Sequence, residues 1–69
     1  MKLEFLESEW QELIQNCSFT DDEAEIVPYL KRGMYYYVIA QNLNVSESTV
    51  RRRVKSILKK ITKYLCRAG

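Results

Sequence analysis

The stretch from Tyr36 to Lys55 places the tightest spacing demands of any segment in this 69-residue chain. Ile39 and Leu43 are four residues apart, so they share one face of a helix. Ala40 is small where a second helix must cross closely. Asn44 follows Leu43, and asparagine is the next easiest residue after glycine for left-handed backbone angles. Val45 is apolar and can plug a turn into a core. Ser46 is a good N-cap, and Val50 and Val54 again stand four apart on the helix that follows. The pattern predicts a helix over 36–43, a tight turn over 44–46 and a second helix starting at 47. This is a helix-turn-helix, a geometry with little freedom in the crossing of its two helices.

The flanking segments are helical by the same reasoning. Leu3, Leu6, Trp10, Leu13 and Cys17 recur at steps of three and four, with Ile14 beside Leu13, predicting a first amphipathic helix over 3–16. Thr20-Asp21-Asp22-Glu23 is a capping box, with extra negative charge at the positive end of the helix dipole. It opens a second helix over 20–33 with Ile26, Val27 and Leu30 inward and Gly33 at the left-handed terminal position. Pro28 sits inside that span and removes a bond to the carbonyl of Ala24, which predicts a kink near Ala24–Val27 or a restart after a short first turn. On the last helix, taken over 47–65, Val54, Ile57, Leu58, Ile61, Tyr64 and Leu65 fall between about −40° and +80° of Val50 at 100° per residue. The expected fold is all-α: a small four-helix domain containing a helix-turn-helix, with a long C-terminal helix. It forms one domain over 1–69, in which 1–18 is an added helix and 19–65 the core.

Composition narrows the function. With 46% hydrophobic residues, 2 glycines and 1 proline, the chain is not a disordered linker. No apolar run approaches the ~18 residues of a membrane span, and Met1-Lys2-Leu3-Glu4 does not open a signal peptide, so a cytoplasmic chain is expected; Met1 and the absence of a linker favour a stand-alone one. There is no histidine, which removes His-dependent catalysis and His-bearing zinc sites. No paired carboxylates, nucleophile–base pair or glycine-rich phosphate loop is present, so neither an enzyme nor a cofactor is expected. Cys17 and Cys66 stand far apart, outside any ligand-spaced cluster, and read as reduced, partly buried small hydrophobes, with no metal.

The formal net charge of +2 is the sum of two unlike halves. Residues 1–33 hold eight acids against Lys2, Lys31 and Arg32, a balance of −5. Residues 34–69 hold Glu47 alone against Arg51, Arg52, Arg53, Lys55, Lys59, Lys60, Lys63 and Arg67, a balance of +7. Ser48, Arg52, Lys55, Lys59 and Lys63 cluster within about 140–220° of Val50 at 100° per residue, with Arg51 and Arg53 flanking. This face reads as one sign of charge without interleaved Glu for i,i+4 pairing, so its self-repulsion calls for a polyanion. One α-helix fits the major groove, and residues near the start of the second motif helix reach base edges. Double-stranded DNA is therefore the expected partner.

Phe19 through Glu23, Leu30, Gly33, Ile39-Ala40, Leu43, Val45-Ser46-Glu47-Ser48-Thr49-Val50 and Ile57-Leu58-Lys59-Lys60-Ile61 together resemble the LuxR/GerE-type DNA-binding domain of bacterial regulators. They also resemble the related region 4 of sigma factors. The resemblance covers residues 19–61 and implies a transcriptional regulator with its recognition helix, 47–58, in the major groove. It implies Thr49 near a phosphate and Arg51, Arg52 and Lys55 at or near base edges, with Arg53 where many LuxR-type domains carry histidine. Pro28 and the three tyrosines depart from the LuxR pattern. No short helix is expected after Ile61, a point in favour of the sigma-like form.

The candidate DNA-binding residues are thus Ser46, Glu47, Ser48, Thr49, Arg51, Arg52, Arg53, Lys55 and Lys59. Arg51, Arg52 and Lys55 are expected at base edges, and Ser46, Thr49 and Arg53 at phosphates, which position without specifying. Glu47 can accept from a cytosine amine or simply favour the helix dipole. Lys59, Lys60 and Lys63 lie farther along and serve non-specific attraction or solubility. Of Tyr35, Tyr36 and Tyr37, one ring is expected in the core and two partly exposed, unless their hydroxyls meet the DNA backbone. The apolar stripe past Ile57 needs cover from the first helix or a second subunit, so a homodimer through those two helices is expected ahead of a monomer. The alternative is a sigma-region-4-like interaction module that docks on RNA polymerase or an anti-sigma-type partner, with the acidic first helix and Trp10 as its surface.

Overall fold

A computed structural model describes residues 5–68, with side chains to 66. Among the described residues there are four helices and no strand: α1 Glu7–Asn16, α2 Asp21–Lys31, α3 Tyr36–Leu43 and α4 Glu47–Ala68. The 22 residues of α4 extend about 33 Å at 1.5 Å per residue, which accounts for most of the molecule's 36 Å long axis. The other three helices all pack against it.

The first helix starts later than its periodicity predicts. The Glu9 carboxylate accepts from the Leu6 N–H at 2.7 Å, holding Leu6 extended as the N-cap. Leu6 is consequently 70% exposed instead of lying on the buried stripe. Phe5 takes its place, edge-on to Trp10 with ring centroids 5.3 Å apart. Leu3 lies outside the described residues. Trp10, Leu13 and Cys17 are buried, while Ile14 is 43% exposed.

The α2 capping box forms as its sequence dictates: the Thr20 N–H donates to the Glu23 carboxylate at 2.9 Å, and the Glu23 N–H donates to the Thr20 hydroxyl at 3.3 Å. The helix then continues through Pro28 without a restart. Ala24 and Pro28 both lie on the exposed side, where water can satisfy the carbonyl that Pro28 leaves unpaired.

Helices α2 and α3 end by the same device. Gly33, at φ 68°, donates to the Leu30 carbonyl, and Met34 donates to that of Tyr29. Asn44, at φ 58°, donates to the Gln41 carbonyl, and Val45 donates to that of Ala40. These are paired Schellman bonds, which need one left-handed residue each. Ser46 then caps α4, accepting from the Thr49 N–H at 3.2 Å.

One core joins the four helices. Val50, Val54, Ile57 and Ile61 of α4 are buried with Ile26, Val27 and Leu30 of α2, with Ile39 and Ala40 of α3, and with Trp10, Leu13 and Cys17. Leu43, Val45, Leu58, Tyr36 and Tyr64 pack partly buried around them. Ala40 of α3 is only 6% exposed and is buried in the same core as Val50 and Val54 of α4. Leu65 is 49% exposed, so α1 does not cover the last apolar position of the α4 stripe.

Polar contacts tie the acidic half to α4. Lys60, expected at the solvated face, instead donates to the Glu23 carboxylate at 2.5 Å and to the Ser18 carbonyl at 3.0 Å. Tyr64 donates to Glu12 at 2.8 Å, and the Cys17 thiol points at the Lys60 carbonyl at 3.8 Å. Lys31 pairs with Glu7 at 2.7 Å. The Glu23 side chain is only 6% exposed. Burial pushes its carboxyl pKa up, but hydrogen bonds from Lys60, Ser56 and the Thr20 N–H, with the Lys60 charge, outweigh this and hold it at about 2.

Candidate nucleic-acid interface

The turn at Asn44 and the Ser46 cap set the direction in which α4 leaves the motif, and the buried Val50 and Val54 fix its rotation. With that face held inward, Ser46, Ser48, Arg51, Arg52, Lys55 and Lys59 are exposed, and Glu47, Thr49 and Arg53 are half-buried at the margins. All nine candidate residues therefore lie along one helix and its cap. Lys63 is exposed farther along, whereas Lys60 lies off the basic face and is turned toward Glu23 of α2.

The three arginines are held differently. Arg51 donates from Nη2 to Glu47 Oε2 at 2.8 Å. This i,i+4 pair corrects the reading of a basic run free of carboxylate pairing: Glu47, one turn before Arg51, is near enough to bind it. Arg53 lies 3.7 Å from Asp22 on α2. Arg52, on the central line of the face, has no carboxylate within salt-bridge distance among the described residues. Thr49 and Ser46 join hydroxyls at 2.9 Å, which orients both at the helix entrance.

Beside the basic face an open cleft of about 310 Å³ runs between α4 and the first turn of α2, lined by Thr20, Asp22, Glu23, Thr49, Arg52, Arg53 and Ser56. In the sequence its α2 wall shows only as a capping box. The spacing around Thr20 reports local hydrogen bonds and carries no signal that this turn will meet Arg52 and Arg53. Tyr35 and Tyr37 are exposed at 72% and 55% and stack at the start of α3 with ring centroids 5.9 Å apart. Tyr36 is the ring that joins the core, the division expected of the three.

Two further expectations need correction. Trp10 is 2% exposed, so it is a core residue and cannot form a docking surface. Cys66 is exposed, whereas Cys17 is buried and its thiol pKa is raised by that burial against the opposing Lys60 charge. No group of three metal-ligating side chains occurs among the described residues, and no helix among them is long and apolar enough to cross a membrane.

A helix-turn-helix closed by a left-handed asparagine, with an exposed cationic face at the start of its second helix, defines a DNA-binding type of domain. Residues 17–63 match the model of GerE, the luxR family of bacterial regulatory proteins, and the chain belongs to that family. Comparison with individual curated proteins and with solved structures gave no match. The matched span runs from the end of α1 through most of α4, and it contains every candidate residue.

Proposed function

We propose that this domain binds double-stranded DNA sequence-specifically as part of a transcriptional regulator, with residues 47–58 of α4 in the major groove. The observation that carries the proposal is the single exposed line of Ser48, Arg52, Lys55 and Lys59 on a helix whose opposite face is locked into the core. Arg51, Arg52 and Lys55 reach base edges; Ser46, Thr49 and Arg53 meet phosphates; Lys59 and Lys63 add non-specific attraction. A DNA-reading role puts the domain in the cytoplasm. The chemistry needs no cofactor and involves no catalysis.

Selection of bound duplexes from a random pool, followed by sizing of the complex, tests this directly. An enriched sequence with the protein bound at its centre is expected. A pool that stays random would overturn the proposal. A pseudo-palindromic site carrying two chains would support pairing through α1 and the end of α4, where Leu65 remains exposed.

The sigma-region-4-like alternative draws support from one observation: α4 runs unbroken to Ala68, past the point where a LuxR-type domain starts a further short helix. In that reading the domain docks on RNA polymerase or an anti-sigma-type partner. Apolar docking is nearly independent of salt, whereas DNA affinity falls steeply with it through counterion release, so a salt titration separates the two.

A further inference from the structure

We propose that Glu47 is a specificity-determining residue that acts through Arg51: it holds the guanidinium ready for a base edge and makes it a poor partner for phosphate. The inference rests on the DNA-reading role assigned to α4 above. Its observation is the 2.8 Å bond from Arg51 Nη2 to Glu47 Oε2. Glu47 is the one acidic residue among residues 34–69, and it stands one turn before an arginine that the same face exposes.

The physical distinction lies between a monopole and a dipole. A phosphate attracts an arginine through net charge, and a carboxylate at hydrogen-bond distance weakens that attraction even where, as here, the two side chains are 67% and 43% exposed. The same carboxylate repels the phosphate itself. A guanine edge is neutral and offers two acceptors, O6 and N7, so it needs aligned N–H donors more than net charge. A guanidinium has five such donors, and one bond to Glu47 leaves the others available. The pair also restricts a long side chain that would otherwise lose rotamer freedom on docking. The neighbouring arginines differ on this point. Arg52 has no carboxylate partner among the described residues, and Arg53 is paired from another helix at 3.7 Å, on the edge facing α2. Among the base-edge residues, Arg51 is therefore the one held by a carboxylate that weakens its pull on phosphate, while Arg52 beside it keeps its full charge.

A carboxylate in the first turn of α4 also favours the helix dipole, but removing that contribution would lower helix stability without changing which base is preferred. The test uses the full chain. Duplex selection is run on the wild type, Glu47→Gln, Arg51→Ala and the double variant, with circular dichroism on each to confirm helix content. Glu47→Gln is expected to lose preference at the same base position as Arg51→Ala, by about two-fold, with no additional loss in the double variant. Its affinity for random-sequence duplex should rise about three-fold, with a salt dependence steeper by up to about 0.9 in log–log slope. A wild type that selects no sequence removes both the DNA reading and this proposal. A wild type that selects a site, with Glu47→Gln selecting the same site equally well, removes this proposal alone. So does a loss at a base position different from that of Arg51→Ala, which would make Glu47 itself the reader.

Discussion

Glu23 shows how a single residue can serve two elements. Its backbone and carboxylate complete the cap of α2, and the same carboxylate receives Lys60 from α4. In the unfolded chain its pKa is near 4.5, and in the fold it is about 2. A depressed carboxyl pKa gives stability that is fully present above about 4.5 and is lost as pH falls toward 2, in total on the order of 3 kcal/mol. Acid titration of the thermal midpoint should therefore show a fall through that window, and Glu23→Gln should flatten it. Lys60→Met leaves a buried carboxylate without its counter-charge and should destabilise the fold by about 2–4 kcal/mol in urea unfolding. Asn44 is the other residue with a sharply defined task. Asn44→Gly should change stability by less than about 1 kcal/mol, whereas Asn44→Val should cost about 1–2 kcal/mol because a β-branched side chain resists the φ of 58°.

At the scale of elements, α2 carries an unusual weakness. Pro28 lies eight residues past the Thr20 cap, in an uninterrupted helix, and is exposed. Pro28→Ala would restore the N–H to the Ala24 carbonyl and remove the ring clash while giving up little packing. It should raise stability by roughly 1–3 kcal/mol, read as a higher urea midpoint with an unchanged slope. The α3–α4 crossing shows the opposite sensitivity. Ala40→Leu adds three carbons where there is 6% exposure, so it should lower the melting temperature markedly or loosen the motif. An Ala40→Leu protein that melts like the wild type would show that the helices cross elsewhere.

For the whole molecule, the arrangement of charge matters more than its sum. The acids of the first half lie partly against α4: Asp22 at Arg53, Glu23 at Lys60, Glu12 at the Tyr64 hydroxyl. They brace the cationic helix from one side while its outer face stays open. Because Arg51, Arg52 and Lys55 are exposed, the triple alanine variant should retain its helix content and melting temperature. It should bind its duplex at least about tenfold more weakly, since each base edge left unread forfeits on the order of 1–3 kcal/mol. Lys59→Ala should weaken all sequences alike and reduce the salt slope by about 0.9. Unchanged affinity in the triple variant would sink the assignment of α4 as the recognition helix.

The sequence alone determined the four helices, the two left-handed stops at Gly33 and Asn44, the caps at Thr20 and Ser46, and the core face of α4. Each of these depends on residues within about five positions of one another, where spacing maps directly onto hydrogen bonds and helical faces. The start of α1 is harder to see because a carboxylate at Glu9 competes with periodicity for the Leu6 N–H. Tertiary structure decided the rest: that Lys60 pairs with Glu23 instead of staying solvated, that Leu65 stays uncovered, and that Asp22 flanks Arg53. These outcomes depend on how α2 and α1 are placed against α4. A charge pattern along one helix cannot reveal which of its cations another helix will neutralise, because that requires two distant segments to be brought within a few ångströms.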